Sequence, residues 1–221
     1  MVNILLSKYD IGKPWCVEAF GRYITPSARV AVVAFSFGDE ISNQNDWDRF
    51  YGAGGTLSTA ITKSFAPYGV APESVEYIDF FRDSPASAKR KLQSANILYF
   101  PGGAADKIMS RVIAFELYDD IENHRGVVIG FGAGAQIQLS RYHVTSARGT
   151  VCPNLGFRFA EGLDIETNYS NDESQNYFIG KVIGETGLPV YAIGDQGALI
   201  IDNGKLGAIG DVQCFRKKQT V

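Results

Sequence analysis

Short runs in which nearly every position is apolar recur along the first two thirds of the chain: 2–6, 30–35, 75–80, 96–100 and 127–131. Runs of this length, rich in Val, Ile, Phe and Tyr and mostly without a polar face, are the pattern of strands covered on both sides. Helical stretches separate several of them. Residues 45–66 carry a helical pattern broken by Gly52, Gly54 and Gly55. Ser84 followed by Pro85 reads as an N-cap with proline at the first helical position, opening a helix to about Leu92. Residues 104–124 give one or two helices with Glu116, Asp119, Asp120 and Glu122 on a solvated side. Strands alternating with helices predict a parallel sheet with right-handed crossovers.

The last third has a different rhythm. A helix between Asp172 and Gly184 is followed by short strands such as 197–201 and 206–209, with Ile193-Gly194-Asp195 and Asp202-Asn203-Gly204 as turn signals. The whole pattern predicts an α/β fold: a three-layer, doubly wound, mostly parallel sheet flanked by helices, with antiparallel strands added toward the C-terminus. No repeat, low-complexity tract or Pro/Ser-rich linker interrupts it, so residues 1–221 read as a single domain.

Composition narrows the possible partners. A net charge of −3 with no basic block argues against nucleic acid or an anionic membrane surface. No stretch approaches the roughly 18 apolar residues of a membrane span. The apolar start, Met1 to Ser7, has no charge before it and no small-residue cleavage site, so it reads as a first strand rather than a signal peptide. Cys16, Cys152 and Cys214 are odd in number and scattered, as reduced thiols of a cytoplasmic protein are. The two histidines, His124 and His143, lie far apart without a CxxC or HExxH pattern, so no metal and no cofactor is implied. A monomer or homodimer is expected.

The segment with most chemical information is Gly126-Val-Val-Ile-Gly-Phe-Gly-Ala-Gly-Ala-Gln-Ile-Gln, in which a buried strand runs into a turn of small residues and then a helix. A nucleophile elbow needs that arrangement, because its central residue sits on a strained turn and its neighbours must leave strand and helix room to approach. The central position here is Gly132, which has no side chain with which to attack. A second glycine turn, Pro101-Gly102-Gly103, follows the preceding strand. Adjacent strand ends place their loops side by side, so N–H groups near Gly103 and Ala133 would converge as in an oxyanion hole.

With these motifs the chain resembles the dipeptidase E and cyanophycinase family of serine peptidases, whose fold is related to class I glutamine amidotransferases. The likeness runs nearly full length: a first strand ending in Ser7, the strand to Ser36, Tyr77-Ile78-Asp79, the Pro101-Gly102-Gly103 turn, the Gly-x-x-Ala-Gly-Ala elbow, Asn168-Tyr169-Ser170 and Ala198-Leu199. The resemblance implies a serine-peptidase-like hydrolase acting on aspartyl peptides, with Gly132 in the place of the nucleophilic serine and Asn168 in that of the catalytic histidine. The acidic member usually lies shortly after the elbow helix, and residues 124–160 contain neither Asp nor Glu. Ala104 and Ala105 stand where an asparagine typically follows the paired glycines. Removing such a triad costs about a million-fold in rate. The expectation is therefore a non-catalytic homologue whose Gly102, Gly103 and Ala133 bind a small acidic ligand or peptide.

Other readings compete. The glycines could serve only close packing of strand and helix. A dinucleotide turn fits poorly, since the spacing is not GxGxxG and no acidic residue follows about 20 positions on. Cys152, in a loop-like stretch after the elbow helix and near His143 and Arg148 in sequence, is the least implausible substitute nucleophile; a structural or interaction protein without ligand is the third reading. His143 reads as a surface residue near a helix end, and the acidic group Asp164, Glu166, Asp172 and Glu173 as a solvated rim.

Overall fold

A computed structural model describes residues 1–145 and 151–217. The elements follow in chain order as β1 (Val2–Leu6), α1 (Pro14–Phe20), β2 (Val30–Val32), α2 (Gln44–Phe50), α3 (Thr56–Phe65), β3 (Val75–Tyr77), α4 (Pro85–Ser94), β4 (Ile97–Phe100), α5 (Ala105–Ala114), α6 (Tyr118–Glu122), β5 (Val127–Phe131), α7 (Ala133–Gln136), β6 (Arg141–Thr145), β7 (Val151–Leu155), β8 (Asp164–Thr167), α8 (Glu173–Thr186), β9 (Val190–Asp202) and β10 (Lys205–Phe215). The main sheet runs β10-β9-β1-β5-β4-β2-β3, and β8 joins beside β9. Strands β1 to β5 pair in parallel, while β9 runs antiparallel to β1 and β10 antiparallel to β9. This is the predicted α/β architecture, with its mostly parallel sheet flanked by helices and its antiparallel end.

Alternation along the strands explains the two cores. Leu5, Leu98, Phe100 and Val128 enter one apolar layer, and Ile4, Leu6, Ile97, Tyr99 and Ile129 the opposite one. Each central strand is thus apolar at every position because both its faces are covered. Ser84 caps α4 through a reciprocal pair with Ser87, and Pro85 occupies the first turn, as the sequence predicts. One polar residue enters the centre of the sheet. Asn3 is buried and donates to the Gln138 side chain at 3.0 Å, and Gln138 in turn donates to the carbonyls of Ile4 (3.4 Å) and Gly134 (3.3 Å). This amide pair ties β1 to the segment after α7.

Several local expectations are corrected. The run 30–35 is a strand only over Val30–Val32, because Phe35 N–H turns back onto the Val33 carbonyl. The run 75–80 ends at Tyr77. Ile193-Gly194-Asp195 is not a turn but the interior of β9, where residues 194–196 face the single residue Asp211 in an irregularity of the β9–β10 ladder. The helix after the elbow is only four residues long and is succeeded by the β6–β7 hairpin. His143 consequently lies in β6 rather than near a helix end, and Cys152 lies in β7 rather than in a loop. Arg148 falls outside the described residues. The seven-residue α1, opened by Pro14 and burying Cys16 and Phe20, is too short to leave a periodic signal. Among the described residues no helix is long and apolar enough to cross a membrane.

Asn3→Ala is expected to lower stability by about 1–3 kcal/mol, because it leaves the buried Gln138 carbonyl oxygen unpaired. Urea unfolding of the variant measures it; a loss below about 0.5 kcal/mol would show that the amide pair does not hold the sheet to the elbow.

Candidate functional site

Four strand ends meet at one cleft of about 360 Å³. Ser7, Lys8 and Tyr9 follow β1; Gly102 and Gly103 follow β4; Gly132 and Ala133 follow β5; and Thr167 and Asn168 close β8. Ligands of open α/β sheets bind outside the carboxyl ends of the strands, which is where this cleft lies. A larger hollow, about 680 Å³ between α3 and the edge strand β3, is away from those ends.

The elbow is built by steric exclusion. A Cβ on Gly130 would lie 2.0 Å from the Gly134 carbonyl oxygen, and one on Gly134 would lie 1.9 Å from the Phe100 carbonyl oxygen. Neither position can carry a side chain without separating β4, β5 and α7. Gly132 differs. Its backbone holds φ 53° and ψ −121°, a strained turn, yet a Cβ there would touch only Gly102 Cα at 3.6 Å. Close packing therefore explains the outer glycines of Gly130-x-Gly132-x-Gly134 and does not explain the central one. The Gly132 N–H donates to the Leu6 carbonyl at 2.9 Å, and the Gly132 carbonyl accepts from Ala135 and Gln136.

The neighbouring glycine turn is held from behind. Ser36 Oγ donates to the Gly102 carbonyl at 2.8 Å, and the Ser36 carbonyl accepts from Ala104 N–H at 2.6 Å. Gly103 sits at φ 144°, and a Cβ there would collide with the Ser36 carbonyl at 2.2 Å. The Ser36 segment is fixed in turn by Arg111, whose guanidinium donates to the carbonyls of Phe35 (2.7 Å) and Phe37 (2.6 Å) and lies 3.6 Å over the Phe37 ring. Among the described residues, neither the Gly103 nor the Ala133 N–H has a hydrogen-bond acceptor.

Across the cleft, Asn168 stands in a left-handed backbone conformation, φ 54°, which places its side chain toward the opening while Tyr169 is buried. Ser7 Oγ accepts from Asn168 N–H at 3.0 Å and donates to the Ile193 carbonyl, so β1, β8 and β9 are joined at this point. Lys8 reaches over it. Its ammonium donates to Asn168 Oδ1 at 3.2 Å and pairs with Asp195 at 3.2 Å. The irregularity within β9 is what brings Asp195 here. Among the residues lining the cleft there is no His, Cys, Asp or Glu.

The other candidate groups lie elsewhere. In the β6–β7 register Val144 opposes Cys152 and His143 opposes Pro153, so the Cys152 and His143 side chains leave opposite faces of the hairpin. Cys152 does not line the cleft. His143 is instead directed to Asp164, and Nδ1 meets the Asp164 carboxylate. Asp164 is 2% exposed, and its neighbour Glu166 on the same face of β8 is half-buried, so neither belongs to a solvated rim. Asp172 is exposed, where it caps α8, and Glu173 is exposed as well. Burial raises the Asp164 carboxyl despite its histidine. Burial also pushes the Glu166 carboxyl up to about 7, opposed by a hydrogen bond from Gln175 and reinforced by the charges of Asp164 and Asp172. Gln175 also donates to the Asn168 carbonyl at 3.0 Å, which links this buried cluster to the cleft rim.

Sequence reasoning overlooked Lys8 and Arg111, named Ser36 only as a strand end, and took Glu166 for part of a solvated rim. Lys8 carried a readable signal, since it follows the end of the first buried strand. Arg111 carried none: its role depends on the distant carbonyls of Phe35 and Phe37.

Two outcomes are expected of substitution here. Gly132→Ser should leave a folded protein, at a cost of about 1–3 kcal/mol for a side chain on the strained turn, whereas Gly134→Ala should cost more and disturb the fold. Thermal unfolding of both variants compares them; equal losses would mean that the central position is as crowded as its neighbours. Glu166 gives a pH dependence. A carboxyl held above its ordinary 4.5, at about 7, binds its proton more tightly in the native state, so stability falls as pH rises through that window. The shift corresponds to at most about 3 kcal/mol. Glu166→Gln should raise the Tm at pH 8 by several degrees and leave it unchanged near pH 4.5. A variant no more stable than the parent at pH 8 would contradict the burial effect.

No protein-family model and no curated protein matches the sequence. Solved structures do match its fold. A protein from Listeria monocytogenes EGD-e that carries the provisional name peptidase E superposes with a TM-score of 0.63 at 16% identity, covering 98% of each chain. A peptidase from an acI-B1 actinobacterium superposes with a TM-score of 0.66 at 14% identity, covering 100% of this chain and 96% of its own. These superpositions over nearly the whole chain show that it has the fold of those peptidase structures.

Proposed function

We propose that the chain is a peptidase E-like protein that does not hydrolyse peptides and instead binds a small acidic amino acid or peptide in the remnant cleft. The observation that carries this reading is the conformation of Gly132. The elbow backbone keeps its strained turn in a place where a side chain would fit, yet no nucleophile is there and nothing in the cleft could act as general base. Lys8 is ion-paired to Asp195 and hydrogen-bonded to Asn168, the residue in the histidine's place. Ser7, the nearest hydroxyl, is engaged with the Ile193 carbonyl and the Asn168 N–H. Catalysis by such a site would rest on the amides alone, worth about a thousand-fold over water.

What remains favours anions. The N–H groups of Gly103 and Ala133 are available to an oxygen, and the Lys8 ammonium stands on the opposite wall. A carboxylate that bridged them would make charge-assisted hydrogen bonds on both sides. Tyr9 and Phe131, 6.1 Å apart between ring centres, give the cleft an apolar flank for the rest of a small ligand.

The test is hydrolysis of a panel of aspartyl dipeptides by the purified protein, beside Gly132→Ser with Asn168→His, and calorimetric titration of the parent with aspartate and the same dipeptides. The parent should show no turnover above the amide-only level, before or after a thiol-blocking reagent, and should bind with an affinity that Lys8→Met lowers at least tenfold. Turnover by the parent well above that level overturns the non-catalytic reading. Silence combined with no binding of any probe overturns the acidic ligand.

A further inference from the structure

Glu166 and Asp164 leave the same face of β8 toward a small apolar cluster. Their partners across the ladder, Ala192 and Val190, belong to that cluster, to which α8 adds Ile179 and Val182 and β10 adds Phe215. A carboxylate in such surroundings is costly unless it is paired. Asp164 has a partner in His143 of β6. Glu166 has none that carries positive charge: among the described residues its one hydrogen-bond donor is the Gln175 amide, 3.4 Å away. The charged groups that act on it are Asp164, two residues back on its own strand, and Asp172, just before α8. Both are acidic, so burial and neighbours alike favour the proton, and the carboxyl titrates at about 7.

Gln175 connects this carboxyl to the rim of the cleft. It stands in the first turn of α8, where the Asp172 side chain caps its N–H. Both ends of its amide hold the chain that follows β8. Nε2 donates to Glu166 and, at 3.0 Å, to the Asn168 carbonyl, while Oε1 accepts from the Ser170 N–H at 2.8 Å. Both amide hydrogens are thereby used, one on each acceptor.

Between these contacts Asn168 is held at φ 54°, a left-handed conformation that a non-glycine residue keeps only where its surroundings over-determine it. Ser7 Oγ accepts its N–H on one side, and Gln175 binds its carbonyl on the other. In that conformation Oδ1 accepts from Lys8, the cation of the cleft, at 3.2 Å. The rim therefore has a second arrangement open to it, an unstrained one reached by losing the Gln175 bond. Ionisation of Glu166 drives that loss. A carboxylate takes a shorter and stronger hydrogen bond than 3.4 Å allows, so it draws the Gln175 amide toward itself and off the Asn168 carbonyl. Residues 170–174 are exposed, and that part of the wall can give way as water follows.

We propose that Glu166, acting through Gln175, is a proton switch for the cleft: the protonated carboxyl keeps Asn168 and Lys8 in their ligand-accepting arrangement, and its ionisation releases them. This control acts on the cleft as an acidic-ligand site and rests on that reading. Linkage sets the sign. The arrangement that accepts ligand holds the proton more tightly, so binding takes up a proton and affinity falls as pH rises through neutrality. Glu166 touches no ligand; it is a positioning residue.

Two measurements separate the switch from the ligand. Amide hydrogen exchange of the ligand-free protein reads the rim directly. Protection at Asn168 and Ser170, corrected for the intrinsic effect of pH on exchange, should fall on the order of tenfold between pH 6 and pH 8 in the parent and stay constant in Glu166→Gln. Calorimetric titration with aspartate, whose own charge does not change in this range, reads the coupling. The parent's affinity should fall on the order of tenfold over the same interval, with proton uptake seen as a buffer-dependent heat. Glu166→Gln should bind at pH 8 as the parent does at pH 6, and Gln175→Ala should bind weakly and equally at both. A Glu166→Gln protein that keeps the parent's pH profile overturns the switch, because the residue would then affect stability alone. So does a profile that His143→Gln flattens and Glu166→Gln does not. Constant protection of the parent's rim between pH 6 and pH 8 overturns it whether or not aspartate binds. Protection that falls as expected in a protein that binds aspartate at neither pH upholds the switch at the rim and overturns the acidic ligand instead.

Discussion

The close approach of three backbones at Gly130 and Gly134 is the constraint on which the cleft depends. With the Gly134 carbonyl 2.0 Å from the point where a Gly130 Cβ would lie, strand and helix are in contact through main chain alone. Contact of that kind leaves the backbone no latitude. It sends the chain through Gly132 at positive φ, sets Ala133 beside the Gly102–Gly103 turn, and fixes that turn against Phe131, whose ring lies 2.6 Å from the position of a Gly102 Cβ. The cleft's geometry is thus a property of main-chain packing and needs no particular side chain at position 132.

That separation of shape from chemistry lets the turn at Gly132 hold its backbone with no side chain at its centre. The supports are distributed: Gln138 and Asn3 behind β1, Ser36 and Arg111 behind the glycine turn, and Ser7 beneath Asn168. All of them are buried or half-buried. Selection on stability alone would retain them. An exposed side chain such as that of Asn168 has no such protection, since it contributes little to folding.

The fold was legible to the extent that burial imposes periodicity. The runs at 2–6 and 127–131 match their strands end to end, because each of these strands is covered on both faces and the pattern continues until burial stops. The run at 30–35 overreached for the same reason: Val33, Ala34 and Phe35 are as buried as Val32, but they pack in a turn that holds the Ser36 carbonyl over Gly103. Apolarity reports burial, not ladder pairing. The site was legible where main chain makes it, at the glycines, and illegible where distant side chains do. Asp164 and Glu166 looked like surface charges beside Asp172; the β6–β7 hairpin, itself unrecognised, brings His143 onto Asp164, and α8 brings Gln175 onto Glu166.

The Ile193-Gly194-Asp195 segment shows why local reading misplaced its function as well as its structure. Glycine followed by aspartate signals a turn when the flanking strands are short. Here the strand continues, and the surplus residues are absorbed opposite Asp211, whose carboxylate lies over Gly194 where a side chain would otherwise stand. The distortion has two consequences in opposite directions along the sheet. Inward, it lifts Asp195 to Lys8, so that the cation of the cleft is already partly neutralised, and any anion reaching it would compete with Asp195. Outward, it ends the regular run of β10. A single irregularity in the ladder therefore bounds both the charge of the cleft and the length of the exposed edge, and neither could be inferred from the residues before their pairing was known.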